Sequence, residues 1–165
     1  MRQQLWAPWR MEFIERERPS GCFFCAAASV PADREAEHLV LWRTERALAL
    51  MNRYPYNNGH LMVAPHAHLA DLEDLDEATS GELMALTQRS LRALRHALRP
   101  EGFNVGVNLG RVAGAGVTDH VHQHVVPRWN GDTNFMPVLG EVKVMSEHLR
   151  VTYAKIRAAF EALGS

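Results

Sequence analysis

The sequence predicts an α+β fold: a mainly antiparallel sheet, one long helix after its third strand, and a second helix near the C-terminus. Three observations lead there. Short apolar runs at residues 38–42, 47–51 and 60–65 are separated only by turn-forming residues, which suits hairpins and leaves no room for βαβ crossovers. One long stretch, residues 72–98, has helical periodicity. Two further strand-like runs follow it, before helical character returns over residues 147–163.

The 165 residues are consistent with a single domain, and a 47% hydrophobic composition can fill its core. A net charge of −1 gives no overall field that would gather nucleic acid or an anionic membrane, so any phosphate recognition must be local. No apolar run approaches the roughly 18 residues of a membrane span, and residues 1–20 lack the apolar core of a signal peptide. A cytoplasmic protein with no nucleic-acid or membrane partner is expected.

Residues 1–20 form a polar arm carrying Trp6 and Trp9, which either packs onto the body or a partner subunit or is loosely ordered. Cys22 and Cys25 follow in a C-x-x-C, which in a reducing compartment reads as a metal half-site or a redox pair. Residues 26–37 read as loop or short helix. The runs at 38–42 and 47–51 flank Arg43-Thr44-Glu45-Arg46, a hairpin connection. Residues 52–59, Asn-Arg-Tyr-Pro-Tyr-Asn-Asn-Gly, are a loop by composition, and Pro65 ends the strand after it.

Within the helical stretch, Thr79 and Glu82 have capping-box spacing, so a break near Thr79 is expected. Leu83, Leu86, Leu91, Leu94 and Leu98 form its apolar stripe. Arg89, Arg92, Arg95 and Arg99 read as a solvated basic face, and Pro100 and Gly102 stop the helix. Residues 103–108 alternate as a strand with one buried face, then enter the small-residue loop 110–116. Strand, glycine loop and next strand look like a hairpin whose loop brings backbone amides close to an anion. His38, His96 and His148 are isolated and receive no function.

The next strand carries the chemistry. In Asp119-His120-Val121-His122-Gln123-His124-Val125-Val126-Pro127 three histidines recur at every second residue. An extended chain has a side-chain period of two and gathers the three imidazoles on one face, whereas a helix would throw His122 to the opposite side. Neutral imidazoles supply metal ligands, acids and bases, and nucleophiles near pH 7.

His120-Val121-His122-Gln123-His124-Val125-Val126 resembles the His-φ-His-φ-His-φ-φ signature of the histidine-triad (HIT) proteins, with Gln123 at a place that is usually apolar. Asn58-Gly59-His60-Leu61-Met62-Val63-Ala64-Pro65 and His68 resemble the same family's upstream element. The likeness covers roughly residues 20–135, leaving 1–20 as an arm and 136–165 as an extension of one HIT-like domain. The Trp-Ala-Pro-Trp-Arg arm and the 52–57 loop further resemble the bacterial branch that includes diadenosine tetraphosphate phosphorylases and related hydrolases.

The resemblance implies a homodimer that cleaves a phosphoanhydride of a dinucleoside polyphosphate or related nucleotide conjugate. It implies His122 as the nucleophile that carries the nucleotidyl group, with His124 and His60 on the same phosphate. Asn108, Gly116 and Thr118 would bind phosphate. The side-chain donors that many relatives place before the triad are replaced here by Gly116 and Val117. Asn52 is either a ribose contact or a turn-forming asparagine. In zinc-containing relatives the ligands correspond to Cys22, Cys25, His68 and His120, a donor set suited to a closed tetrahedral structural site. His66 is the competing ligand to His68, and no organic cofactor is implied. Two other functions fit the same residues: a catalytic metal held by all three histidines, and a nucleotide-binding module with little turnover.

Overall fold

The computed structural model describes residues 21–132 and 145–164. The N-terminal arm and the end of the loop at Thr133 and Asn134 lie outside these residues. The elements run α1 (Phe23–Ser29), β1 (Val40–Arg43), β2 (Ala47–Met51), β3 (Leu61–Pro65), α2 (Glu77–Leu98), β4 (Gly102–Val107), β5 (Gln123–Arg128) and α3 (Leu149–Ala162). The five strands form one antiparallel sheet in the order β1-β2-β3-β5-β4. The expected α+β class, long helix and C-terminal helix are all present.

Strand alternation divides the apolar residues between two faces. On one face Leu41, Ala49, Met51, Leu61, Val63 and Val125 pack under α2 and α3, against Leu86, Leu94, Ile156 and Phe160. On the other, Val40, Leu48, Leu50, Met62 and Ala64 pack against Phe24, Ala27 and Val30 of α1 and the turn after it. Fully burying one such side chain contributes about 1.5–3 kcal/mol. His124 pairs directly with Met62 on one side and Gly106 on the other, so it projects from the α1 face.

Proline positions follow the pairing. Pro127 sits inside β5, but β3 pairs with β5 only as far as Val125, so its missing N–H costs no bond to β3.

Three expectations are corrected. The N-cap of α2 is Asp76, whose carboxylate accepts from the Thr79 amide at 2.6 Å. Glu82 instead accepts from the Arg46 amide at 2.9 Å, so the Thr79–Glu82 capping box does not form. The break lies just before Asp76, after a 3-10 turn at Leu72–Asp74. The basic face of α2 is not uniformly solvated: the Arg89 guanidinium lies 3.9 Å over the Trp42 ring and donates to the Phe160 carbonyl at 3.0 Å. Lastly, β4 is a sheet edge with no fully buried residue; Phe103 packs on the core while Val105 is 43% exposed.

Candidate active site

β5 begins at Gln123, so of the three histidines only His124 belongs to the ladder. His120 and His122 lie on the run-up to it, tied down where the Val121 amide donates to the Leu69 carbonyl at 2.6 Å. The rings of His122 and His124 meet edge to face, 4.9 Å apart. All three histidines are buried, His120 completely.

The hydrogen bonds fix each neutral tautomer. The Tyr56 amide donates to His60 Nδ1 at 3.0 Å, which puts the His60 proton on Nε2. That Nε2–H donates to His124 Nδ1 at 2.9 Å, so the His124 proton is on its own Nε2. His122 Nδ1–H donates to the His120 carbonyl at 2.8 Å, leaving the lone pair on His122 Nε2. A nucleophilic nitrogen and an N–H donor therefore come from adjacent, contacting rings. Burial pushes the His122 pKa below the ordinary value. Burial, reinforced by His122, pushes His124 down to about 4. Both rings are neutral near pH 7.

His60 immediately precedes β3, and its position depends on Gly59. That glycine has φ +74°, and a Cβ there would collide with Leu98 of α2. Asn52, at the end of β2, bonds the His60 carbonyl through its amide at 2.9 Å. Its side-chain oxygen accepts from the Tyr54 amide at 2.9 Å, the turn-forming arrangement, while its Nδ2 lies 3.4 Å from His60 Nδ1.

Across the sheet, Val107 pairs with Gln123 in the last pair of the β4–β5 ladder, with Asn108 just beyond β4 and His122 just before β5. Gly110 and Gly114 have φ of +76° and +90° and turn the loop around a 3-10 segment, Arg111–Ala113. Gly116 and Thr118 are exposed on the loop's return.

The ligand atoms of Cys22, Cys25, His68 and His120 lie within 4.8 Å of one another. Cys22 Sγ is 3.2 Å from His120 Nδ1, Cys25 Sγ is 3.2 Å from His68 Nδ1, and the two Nδ1 atoms are 3.3 Å apart. A tetrahedral zinc with ordinary bond lengths has N–N and N–S edges of about 3.3–3.6 Å, so the donor set fits that geometry. His120 is oriented for it, because its Nε2–H donates to the Pro65 carbonyl at 3.0 Å and its Nδ1 faces the thiols. His66 is turned elsewhere, with Nε2 3.1 Å from the Thr44 carbonyl. Among the described residues this cluster includes His120 but neither His122 nor His124, so the three histidines do not converge on one metal.

Sequence reasoning missed two aromatic rings. Tyr56 is half exposed, 4.6 Å from His60 and 5.5 Å from His124. Phe24, inside the C-x-x-C, is fully buried against His120 and His122. Composition marked the first only as loop and the second only as spacer. His148, expected to be idle, caps α3 by accepting from the Arg150 amide at 3.2 Å.

A family model described as HIT domain matches residues 33–131. The chain is 43% identical over 156 residues to an AP-4-A phosphorylase of Mycobacterium tuberculosis, covering 91% of this chain and 80% of the relative. It is 32% identical over 111 residues to an adenosine 5'-monophosphoramidase of Schizosaccharomyces pombe, covering 66% and 75%. Among solved structures, a Zn-bound histidine triad family protein from Mycobacterium smegmatis superposes with a TM-score of 0.67 at 31% identity, covering 86% of this chain and 94% of that one.

Proposed function

The chain belongs to the HIT domain family, and from that premise we propose that it is a nucleotidyl hydrolase or transferase acting on dinucleoside polyphosphates through a covalent intermediate on His122. The observation that carries the proposal is the His122 tautomer: Nδ1–H is committed to the His120 carbonyl, so the Nε2 lone pair is available to a phosphorus atom. Nε2 attacks the α-phosphorus, an N–P bond forms, and the bridging P–O bond breaks with its electron pair leaving on the departing nucleotide. An acceptor oxygen then displaces Nε2 and releases the nucleotidyl group. Charge on the phosphoryl oxygens is met by the Nε2–H of His124, whose tautomer His60 holds. Asn108, Gly116 and Thr118 bind phosphate, the glycine through backbone N–H, and Asn52 binds the ribose.

We assign inorganic phosphate as the second acceptor, which the 43% identical AP-4-A phosphorylase supports. Phosphate yields a nucleoside diphosphate and water a monophosphate. Cys22, Cys25, His68 and His120 hold a structural zinc, supported by the donor geometry and the Zn-bound neighbour. Four protein ligands close the coordination sphere, so the metal braces the site and no step passes through it. Two copies pair through the edge strand β4, whose apolar sequence and exposed Val105 carry no charge to deter pairing. Free thiols and a thiolate metal site suit the cytoplasm.

The decisive experiment is a product assay on diadenosine tetraphosphate with and without phosphate, with a nucleoside phosphoramidate in the panel. The expected products are ADP and ATP, dependent on phosphate. His122→Asn is expected to lose turnover by about a thousandfold or more while still binding nucleotide. Near-wild-type turnover in that variant overturns the covalent mechanism, and AMP as the product in the presence of phosphate overturns the choice of acceptor.

A further inference from the structure

We infer that Phe24 is a positioning residue for the His122 imidazole, pressed against it by the two cysteines that flank it in the metal-ligating turn. The inference rests on the metal reading above and assigns a role to a ring that is not itself a ligand.

One hydrogen bond, from Nδ1–H to the His120 carbonyl, holds the His122 ring at a single atom. A one-point bond is a pivot, so the ring's tilt must be set by what touches its sides. Two rings do so. His124 meets it edge to face at 4.9 Å and 74°. Phe24 lies 4.8 Å away at an interplanar angle of 36°, with 0% exposure. Phe24 also lies 5.0 Å from the ring of His120, so one side chain spans a metal-ligand candidate and the nucleophile. Deleting the phenyl ring removes the aromatic contact on that side of His122 and leaves a void there.

Phe24 is carried by an element too short to hold itself, seated on the sheet by Phe24, Ala27 and Val30 and by the Arg43 guanidinium donating to the Ala27 carbonyl at 2.7 Å. α1 has seven residues, no side-chain cap bond and no acidic residue in its first turn, well below the length at which a helix is stable alone. Cys22 is its N-cap and Cys25 its third residue, so Phe24 lies between the two thiols. Ligating Cys22 and Cys25 together with His68 and His120 closes the ends of this turn onto the triad segment. The metal thereby acts on the reaction through packing: it fixes the first turn of α1, that turn fixes Phe24, and Phe24 fixes the tilt of the ring.

The test measures solvent exchange of the His122 Nδ1–H by nitrogen-15 NMR, which needs no turnover. Four samples are compared: zinc-loaded wild type, chelator-treated wild type, zinc-loaded Phe24→Leu and chelator-treated Phe24→Leu. Exchange is expected to be slow in the first and faster by about tenfold or more in the other three. Phe24→Leu should keep its zinc, and chelation should add little to it, because the coupling runs through the missing ring. Unchanged exchange in folded Phe24→Leu overturns the inference. So does chelation that accelerates exchange as much in Phe24→Leu as in wild type. Phe24→Met, which keeps the bulk and loses the ring, serves if the leucine variant does not fold. In kinetics, loss of position should lower kcat by about tenfold to a hundredfold with KM within about twofold. A raised KM with unchanged kcat also overturns it. Absence of dinucleotide turnover in wild type would sink the proposed function, and the exchange measurement would still decide this one.

Discussion

His124 shows how much one buried ring costs and what it supplies. Its ordinary pKa of 6.5 is pushed down to about 4 by burial, with His122 adding to the shift. Between those two values the unfolded chain binds a proton that the folded chain refuses, so stability is complete above about pH 6.5 and falls as the pH drops towards 4. The loss is on the order of 3 kcal/mol for this one group. Urea unfolding of wild type and His124→Asn at pH 7.5 and pH 5 should show a flatter pH dependence in the variant; identical slopes would remove His124 as the source. In the neutral ring the proton sits on Nε2, because Nδ1 accepts the His60 N–H. His60→Ala should therefore lower kcat by about ten- to a hundredfold, since it frees the tautomer without touching His122; an unchanged rate in steady-state assays would show that the His60 bond is dispensable.

At the scale of elements, short connections hold the site. The turn from Asn52 to His60 depends on Gly59, whose positive φ strains any side chain there and where a Cβ would also push the Leu98 side chain aside. Gly59→Ala should cost about 1–3 kcal/mol and move His60, lowering Tm and kcat together; a variant as stable and active as wild type in a thermal melt and a rate assay would contradict that reading. α2 is anchored differently, by Asp76 at its N-terminus and by Arg99 in the left-handed conformation at its end. It lies on the opposite face of the sheet from His124. Asp76→Ala should therefore cost about 1 kcal/mol of stability with little change in KM, read from a denaturant titration beside the kinetics.

At the scale of the whole molecule, the described sheet ends on one side in β4, a strand that among the described residues pairs only with β5. Its exposed apolar edge is what a second copy would cover. The protein is expected to sediment as a dimer and Val105→Glu as a monomer at micromolar concentration. A monomeric wild type, or a dimeric variant, would place the interface elsewhere. No helix among the described residues is long and apolar enough to cross a membrane.

The sequence by itself determined the element order, the antiparallel sheet and the identity of the candidate chemistry, because those follow from local periodicity. A period of two groups alternate residues whatever surrounds them, which is why His122 and His124 could be paired in advance. Its C-x-x-C marked a metal half-site, and the family resemblance named the four metal-ligand candidates. Only the tertiary structure shows His68 beside the thiols and His66 turned to the Thr44 carbonyl, since that depends on the direction of the turn between them. The resemblance already set His120 apart from its neighbours; the tertiary structure shows how, with its Nδ1 facing the cysteines and its carbonyl accepting from His122. Phe24 and Tyr56 became visible only in the tertiary structure, because a ring's role beside an imidazole depends on contacts across the chain that no periodicity records. Capping fell in the same class: Asp76 and Glu82 compete for nearby amides, and the position of Arg46, distant in sequence, decided which one α2 received.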